Sequence, residues 1–295
     1  MTAAGEFFPG FDVVDTDVGG ITIHGRVGGS GPPVLLLHGY PQTHVMWSAV
    51  APVLARDHTV VVADLRGYGD SGKPPAGPDS AAYSKRAMAA DQVSLMARLG
   101  FRTFAACGHD RGARVVHRMA LDHPEVVQRA AVLDIVPTSY VYGHADEELA
   151  RRYWHWFFLI QPPDLPERLI GADPEFFLRA LLPRWAGPGF AFDERAVAQY
   201  VRSFCDPAAI AASCADYRAG AGADLEHAAS DDGRRVDCPL LVLWGSQGFV
   251  GSHYAVLPVW QEFGTDVRGT ALDCGHFLPE EQPQATAAAL AEFLR

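Results

Sequence analysis

The chain has 295 residues, 48% of them hydrophobic, and carries a formal net charge of −11 with a pI near 5.5. That length suits one α/β domain with an insertion and supplies a sizeable core. The acidic balance, with no basic tract, argues against nucleic acid or an anionic membrane as partner, and no apolar run reaches the about 18 residues of a membrane span.

The opening stretch MTAAGEFFPGFDVV lacks the basic and apolar regions of a signal peptide. The five cysteines (Cys107, Cys205, Cys214, Cys238 and Cys274) are odd in number and show no C-x-x-C spacing. They predict reduced thiols in a cytoplasmic protein, with neither a disulfide framework nor a metal site.

In chain order, FDVVDTD and ITIHGRV flank Gly19-Gly20, a hairpin signal. PPVLLLHG (Pro32–Gly39) is wholly apolar until His-Gly, as a buried central strand should be. HTVVVADLRG repeats that pattern, and SAAYSKRAMAADQVSLMARLG supplies a helix ending at Gly100. RTFAACG is the next strand, followed by the helix ARVVHRMALDHP, which stops before Pro124, and the strand VQRAAVLDIVP, which ends at Asp134. Such alternation predicts an α/β fold, a mostly parallel sheet with helices on both faces.

The alternation breaks between Thr138 and Arg235, where RRYWHWFFLI, DPEFFLRALLPRW and ERAVAQYVRSF read as aromatic-rich helices. It resumes with the strands CPLLVLWG and VRGTALDCG and the terminal helix PEEQPQATAAALAEFLR. The expected organisation is a core over residues 1–137 and 236–295, interrupted by a helical cap over 138–235.

One segment concentrates the chemistry. GHDRGARVV places Asp110 in a G-x-x-x-G turn between a strand and a helix, the context of a nucleophile elbow. The helix N-terminus there favours negative charge. The loop HGYPQTH (His38–His44) follows the central strand, so the backbone amides of Tyr40 and Arg111 are the candidate oxyanion-hole donors. His276, just after the last strand in CGHFLPEEQP, occupies the place of a general base. That base needs an acid to orient it. The loop LWGSQGFVG offers no carboxylate, whereas Asp134 ends the preceding strand and can fill the role.

Through HGYP, DLRGYGDSGKP, GHDRG and CGHFLPEE the sequence resembles the α/β-hydrolase superfamily along its whole length. Through D-R-G-A-R, H-W in the insertion and D-Y-R-A-G-A it is similar to the fluoroacetate (haloacetate) dehalogenases within it. The resemblance implies that Asp110 displaces halide from the α-carbon of a small haloacid. His276, held by Asp134, would then activate water to open the ester. Arg111 and Arg114 are three apart on the elbow helix, share a face, and suit an anionic substrate's carboxylate. The family's halide donors correspond to His155, Trp156 and Tyr217. Trp185 is a candidate pocket wall, and His109 flanks the nucleophile.

DLRGYGDSGKP occurs across the superfamily and is expected to fix a loop rather than touch substrate. No metal or organic cofactor is implied, since G-x-x-x-G lacks the Rossmann third glycine and no His/Cys cluster is visible. Homodimerisation follows from the resemblance alone. The alternative is an epoxide hydrolase using the same Asp–His–Asp triad. That reaction needs cap tyrosines, for which Tyr140, Tyr142, Tyr153, Tyr200 and Tyr217 are available. Epoxide hydrolases generally carry Trp after the nucleophile; Arg111 stands there here.

Overall fold

The structure, a computed structural model, describes residues 7–295. Its strands are β1 (Asp12–Asp17), β2 (Thr22–Gly29), β3 (Pro33–Leu37), β4 (Thr59–Ala63), β5 (Phe104–His109), β6 (Val127–Leu133), β7 (Leu240–Gly245) and β8 (Val267–Leu272). They form one sheet in the order β1-β2-β4-β3-β5-β6-β7-β8. The pairings β1–β2 and β2–β4 are antiparallel, and every pairing from β4–β3 onward is parallel.

The hairpin forms where Gly19-Gly20 predicts it. Both glycines take positive φ, and Asp17 Oδ1 accepts both of their amides. Central strands are buried on both faces, which is why Leu35–Leu37, Val60–Val62 and Ala130–Leu133 read as continuous apolar runs. The edge strands β1 and β8 instead alternate with exposed residues.

Between β6 and β7 the described chain builds eight helices and no strand, from Thr138–Gly143 to Ala223–Ser230. Several begin on an aspartate whose carboxylate accepts a first-turn amide: Asp146 from Leu149, Asp173 from Phe176 and Asp206 from Ala208. The helix Pro207–Ala221 is buried along most of its length and brings Asp216 and Tyr217 against the core.

Topology collects the candidate residues at one edge. Tyr40 follows β3, Asp110 follows β5, Asp134 follows β6 and His276 follows β8. These are the carboxyl ends of parallel strands, where open α/β sheets bind ligands.

Candidate active site

The elbow is built by close backbone approach. A Cβ on Gly108 would lie 2.4 Å from the Gly112 carbonyl oxygen, and one on Gly112 would lie 2.4 Å from that of His38. Neither position admits a side chain. Asp110 itself takes φ 46° and ψ −113°, a strained conformation for a non-glycine residue that sharpens the turn. Its Oδ1 accepts the Tyr40 amide at 2.9 Å. Arg111 opens the helix Arg111–Asp122, so its amide has no acceptor within the helix.

Burial opposes ionisation of Asp110, but the positive charge of His276 and the neighbouring arginines outweighs it and holds the carboxyl below its usual range. A buried, ionised carboxylate with one oxygen already on a backbone amide is the result.

His276 Nδ1 lies 2.6 Å from Asp134 Oδ2. The other oxygen, Oδ1, accepts the Gly245 amide at 2.9 Å, and the Asp134 amide donates to the Leu243 carbonyl. The last residue of β7 therefore supplies a backbone donor to Asp134, while the loop after it supplies no carboxylate. Burial would lower the His276 pKa, yet the hydrogen bond and charge of Asp134 raise it. Asp134 is pushed up by its own burial, against the pull of His276. His109 backs the arrangement: its Nε2 lies 2.7 Å from the His276 carbonyl oxygen, with the rings 4.4 Å apart. Burial drives His109 down to about 3, so it is neutral and donates there.

The two arginines are not equivalent, contrary to their symmetric reading in the sequence. Arg111 donates from Nε and Nη2 to the carboxylate of Asp216, at 2.9 and 2.6 Å. Arg114 has no carboxylate partner among the described residues; its Nη1 donates to the Val136 carbonyl and the Thr138 hydroxyl. Each guanidinium lies over an aromatic ring: Arg111 is 4.2 Å from the centroid of Tyr217, and Arg114 is 4.6 Å from that of Trp156.

The cap residues converge on the same place. The Tyr217 ring lies 5.8 Å from His155, 6.0 Å from Trp156 and 5.3 Å from Tyr40. His155, its pKa lowered by burial to about 3, is neutral. The side chains of His155, Trp156 and Tyr217 make no hydrogen bond among the described residues, so their polar hydrogens are uncommitted. Trp185 closes one side, 4.5 Å from His155 and 5.9 Å from His276. Beyond it a cavity of about 200 Å³ is lined by Tyr153, Trp185, Phe249 and His276.

Against this geometry, the α/β-hydrolase fold family matches residues 32–283. The chain belongs to the α/β-hydrolase family. Its relatives in that family include a fluoroacetate dehalogenase of Burkholderia sp, 50% identical over 97% of this chain and 95% of that one. A soluble epoxide hydrolase of Corynebacterium sp. (strain C12) is 36% identical over 90% and 91%. Among solved structures, ALR0039 of Nostoc sp PCC 7120, described as an α/β hydrolase, superposes with a TM-score of 0.95 at 53% identity, covering 96% of this chain and 98% of that one. The match to the first relative places the chain in the fluoroacetate dehalogenase family of α/β hydrolases.

Sequence reasoning missed Asp216, although it quoted the D-Y-R-A-G-A segment that holds it. It also saw no metal-like cluster, whereas the fold brings His24, His44 and Asp64 together in buried positions. His24 Nδ1 lies 2.8 Å from Asp15 and His44 Nδ1 lies 3.0 Å from Asp64, and the group shares no residue with the hydrolase site. In DLRGYGDSGKP, Asp64 holds the amides of His44 and Asp70, and Arg66 pairs with Asp91. Both side chains serve loop structure. No helix among the described residues is long and apolar enough to cross a membrane.

Proposed function

We propose that the protein hydrolyses the carbon–halide bond of small 2-haloacids, fluoroacetate or a close haloacetate above all, giving glycolate and halide. One observation carries the reading: a buried carboxylate nucleophile is flanked by two guanidiniums, with aromatic hydrogen-bond donors stacked on them. A neutral substrate has no use for such charge. A haloacetate carboxylate would otherwise be repelled by Asp110 in a protein of net charge −11.

The contacts support the following steps. Oδ1 of Asp110 sits on the Tyr40 amide, so Oδ2 is the oxygen free to attack. It displaces halide from the α-carbon in an SN2 step. A carbon–oxygen bond forms as the carbon–halogen bond breaks and halide departs, leaving a carboxymethyl ester on Asp110. His155, Trp156 and Tyr217 donate to the departing halide, which matters most for fluoride. Water then attacks the ester carbonyl carbon while His276 takes its proton. The oxyanion develops at Oδ1, between the Tyr40 and Arg111 amides. Collapse breaks the ester carbon–oxygen bond; His276 gives its proton to the leaving alkoxide, which departs as glycolate, and the Asp110 carboxyl loses the remaining proton of the water to solvent. Asp134 stabilises the imidazolium throughout.

The epoxide hydrolase reading has one observation in its favour. Tyr153 and Tyr217 are both buried cap tyrosines whose hydroxyls are uncommitted among the described residues, as opening an epoxide would require. Arg111 and Arg114 weigh against it. Halide release from fluoroacetate and chloroacetate, set beside diol formation from a neutral epoxide, tests the choice. Turnover of the epoxide alone would overturn the proposal.

The assembly we infer is a homodimer through the cap. Leu165, Leu169 and Phe176 are 51%, 59% and 68% exposed on the adjacent helices Leu165–Gly171 and Pro174–Trp185, an apolar patch suited to a second copy. Light scattering of the purified protein checks this. The cytoplasm is the compartment we infer, consistent with five unpaired cysteines.

A further inference from the structure

The segment C-G-H-F-L-P-E-E ends in Glu280-Glu281, which the chemistry above leaves unused. Glu281 makes an unusual set of contacts. Its Oε2 accepts the amides of Gly275 and Gly187, each at 2.8 Å, and its Oε1 accepts the amide of Phe277 at 2.8 Å. The intervening amide, that of His276, donates to the Trp185 carbonyl at 2.8 Å. Every backbone N–H from 275 to 277 is thereby fixed, two by one carboxylate and one by the cap.

The cap is part of the same clamp. Trp185 ends the helix Pro174–Trp185, and Gly187 lies just beyond it. A Cβ on Gly275 would lie 2.2 Å from the Gly187 nitrogen, so cap and base loop touch backbone to backbone. Glu280 repeats the device on the other side of the site. It accepts the Tyr200 hydroxyl of the cap at 2.8 Å and the side-chain amide of Gln42, two residues past Tyr40.

We propose that Glu281 is the positioning residue for the general base, locking the His276 loop to the docked cap so that ester hydrolysis depends on it and halide displacement does not. This rests on the two-step reading above. Displacement uses Asp110, the arginines and the halide donors, none of which lies on the 275–277 loop. Hydrolysis needs the His276 imidazole aimed at a water, and misplacement of a catalytic group by about 1 Å costs on the order of 100-fold. A carboxylate accepting three backbone donors is a strong anchor. Glutamine keeps one acceptor oxygen but turns an NH2 group against at least one of those donors.

The test compares wild type, Glu281→Gln, Glu281→Ala and His276→Ala with chloroacetate, following early halide release and intact-protein mass. Both Glu281 variants are expected to release a first equivalent of halide at the wild-type rate and then accumulate ester on Asp110. Steady-state kcat should fall about 10-fold for Gln and about 100-fold for Ala, with KM falling alongside. If Ala does not fold, Gln carries the test. Halide release slowed by the same factor as ester hydrolysis, or no ester in Glu281→Gln while His276→Ala traps it, overturns the assignment. No ester in His276→Ala, with wild type active, overturns instead the covalent reading beneath it.

Discussion

Arg111 and Asp216, 105 residues apart in sequence, form a buried bidentate pair in which Arg111 Nε and Nη2 each donate to the carboxylate and Nη2 also reaches the Asp216 backbone carbonyl. Lys85 Nζ and the Tyr68 hydroxyl converge on the same carboxylate. Burial would raise the Asp216 pKa, but Arg111 and Lys85 bring it well below the usual carboxylate range. Arg111, the neighbour of Asp110, is thus aimed by a cap aspartate, and of the two arginines Arg114 is left without a carboxylate partner among the described residues.

Asp216→Asn should release Arg111 from that geometry. KM for haloacetate is expected to rise about 10-fold, the worth of a hydrogen bond to a charged group. Leaving Arg111 and Lys85 buried without their partner should also cost about 3–5 kcal/mol of stability. Steady-state kinetics beside denaturant unfolding checks both.

Removing charge from the arginine pair should separate substrate classes. Arg111→Ala is expected to abolish haloacetate turnover, and Arg114→Met to raise KM at least about 10-fold. Binding of a neutral haloacetamide should be far less affected by either. Parallel KM measurements on acid and amide decide the point.

Trp156→Phe keeps a ring beneath Arg114 but removes its N–H. Tyr217→Phe likewise keeps the ring that stacks on Arg111. Loss of one such donor costs on the order of 100-fold in kcat when the leaving group depends on it. The fall should be large for fluoroacetate and small for bromoacetate, read as halide release from each.

The pH profile follows from His276. Ester hydrolysis needs its imidazole neutral, and Asp134 raises its pKa against the lowering effect of burial. The rate should therefore climb with pH through an inflection above the ordinary histidine value of about 6.5. Asp110, held low by its cationic neighbours, adds no inflection near neutrality. Asp134→Asn should move the inflection downward and cut kcat by about 100-fold or more. Profiles of both proteins with chloroacetate test the direction.

Much of this was legible in the sequence because it depends on local rules. Continuous apolar runs mark strands buried on both faces, and glycines at 108 and 112 mark a turn where no Cβ fits. Asp134 is reached as the candidate acid by elimination, and the fold sets it 2.6 Å from His276 with Gly245, the last residue of β7, donating to its other oxygen. The partner of Arg111 was not legible, since nothing local distinguishes Asp216 from a solvated helix aspartate. Glu281 was hidden for another reason: its acceptors' partners are backbone amides, which leave no mark in side-chain identity. The His24–His44–Asp64 group was missed because three strand and loop segments meet only in the fold.

The covalent role of Asp110 is most directly tested by His276→Ala incubated with chloroacetate. The account predicts one equivalent of halide released per chain, with an ester adduct that peptide mass spectrometry places on Asp110. An unmodified protein, or an adduct on any other residue, while wild type dehalogenates the same substrate, would contradict it.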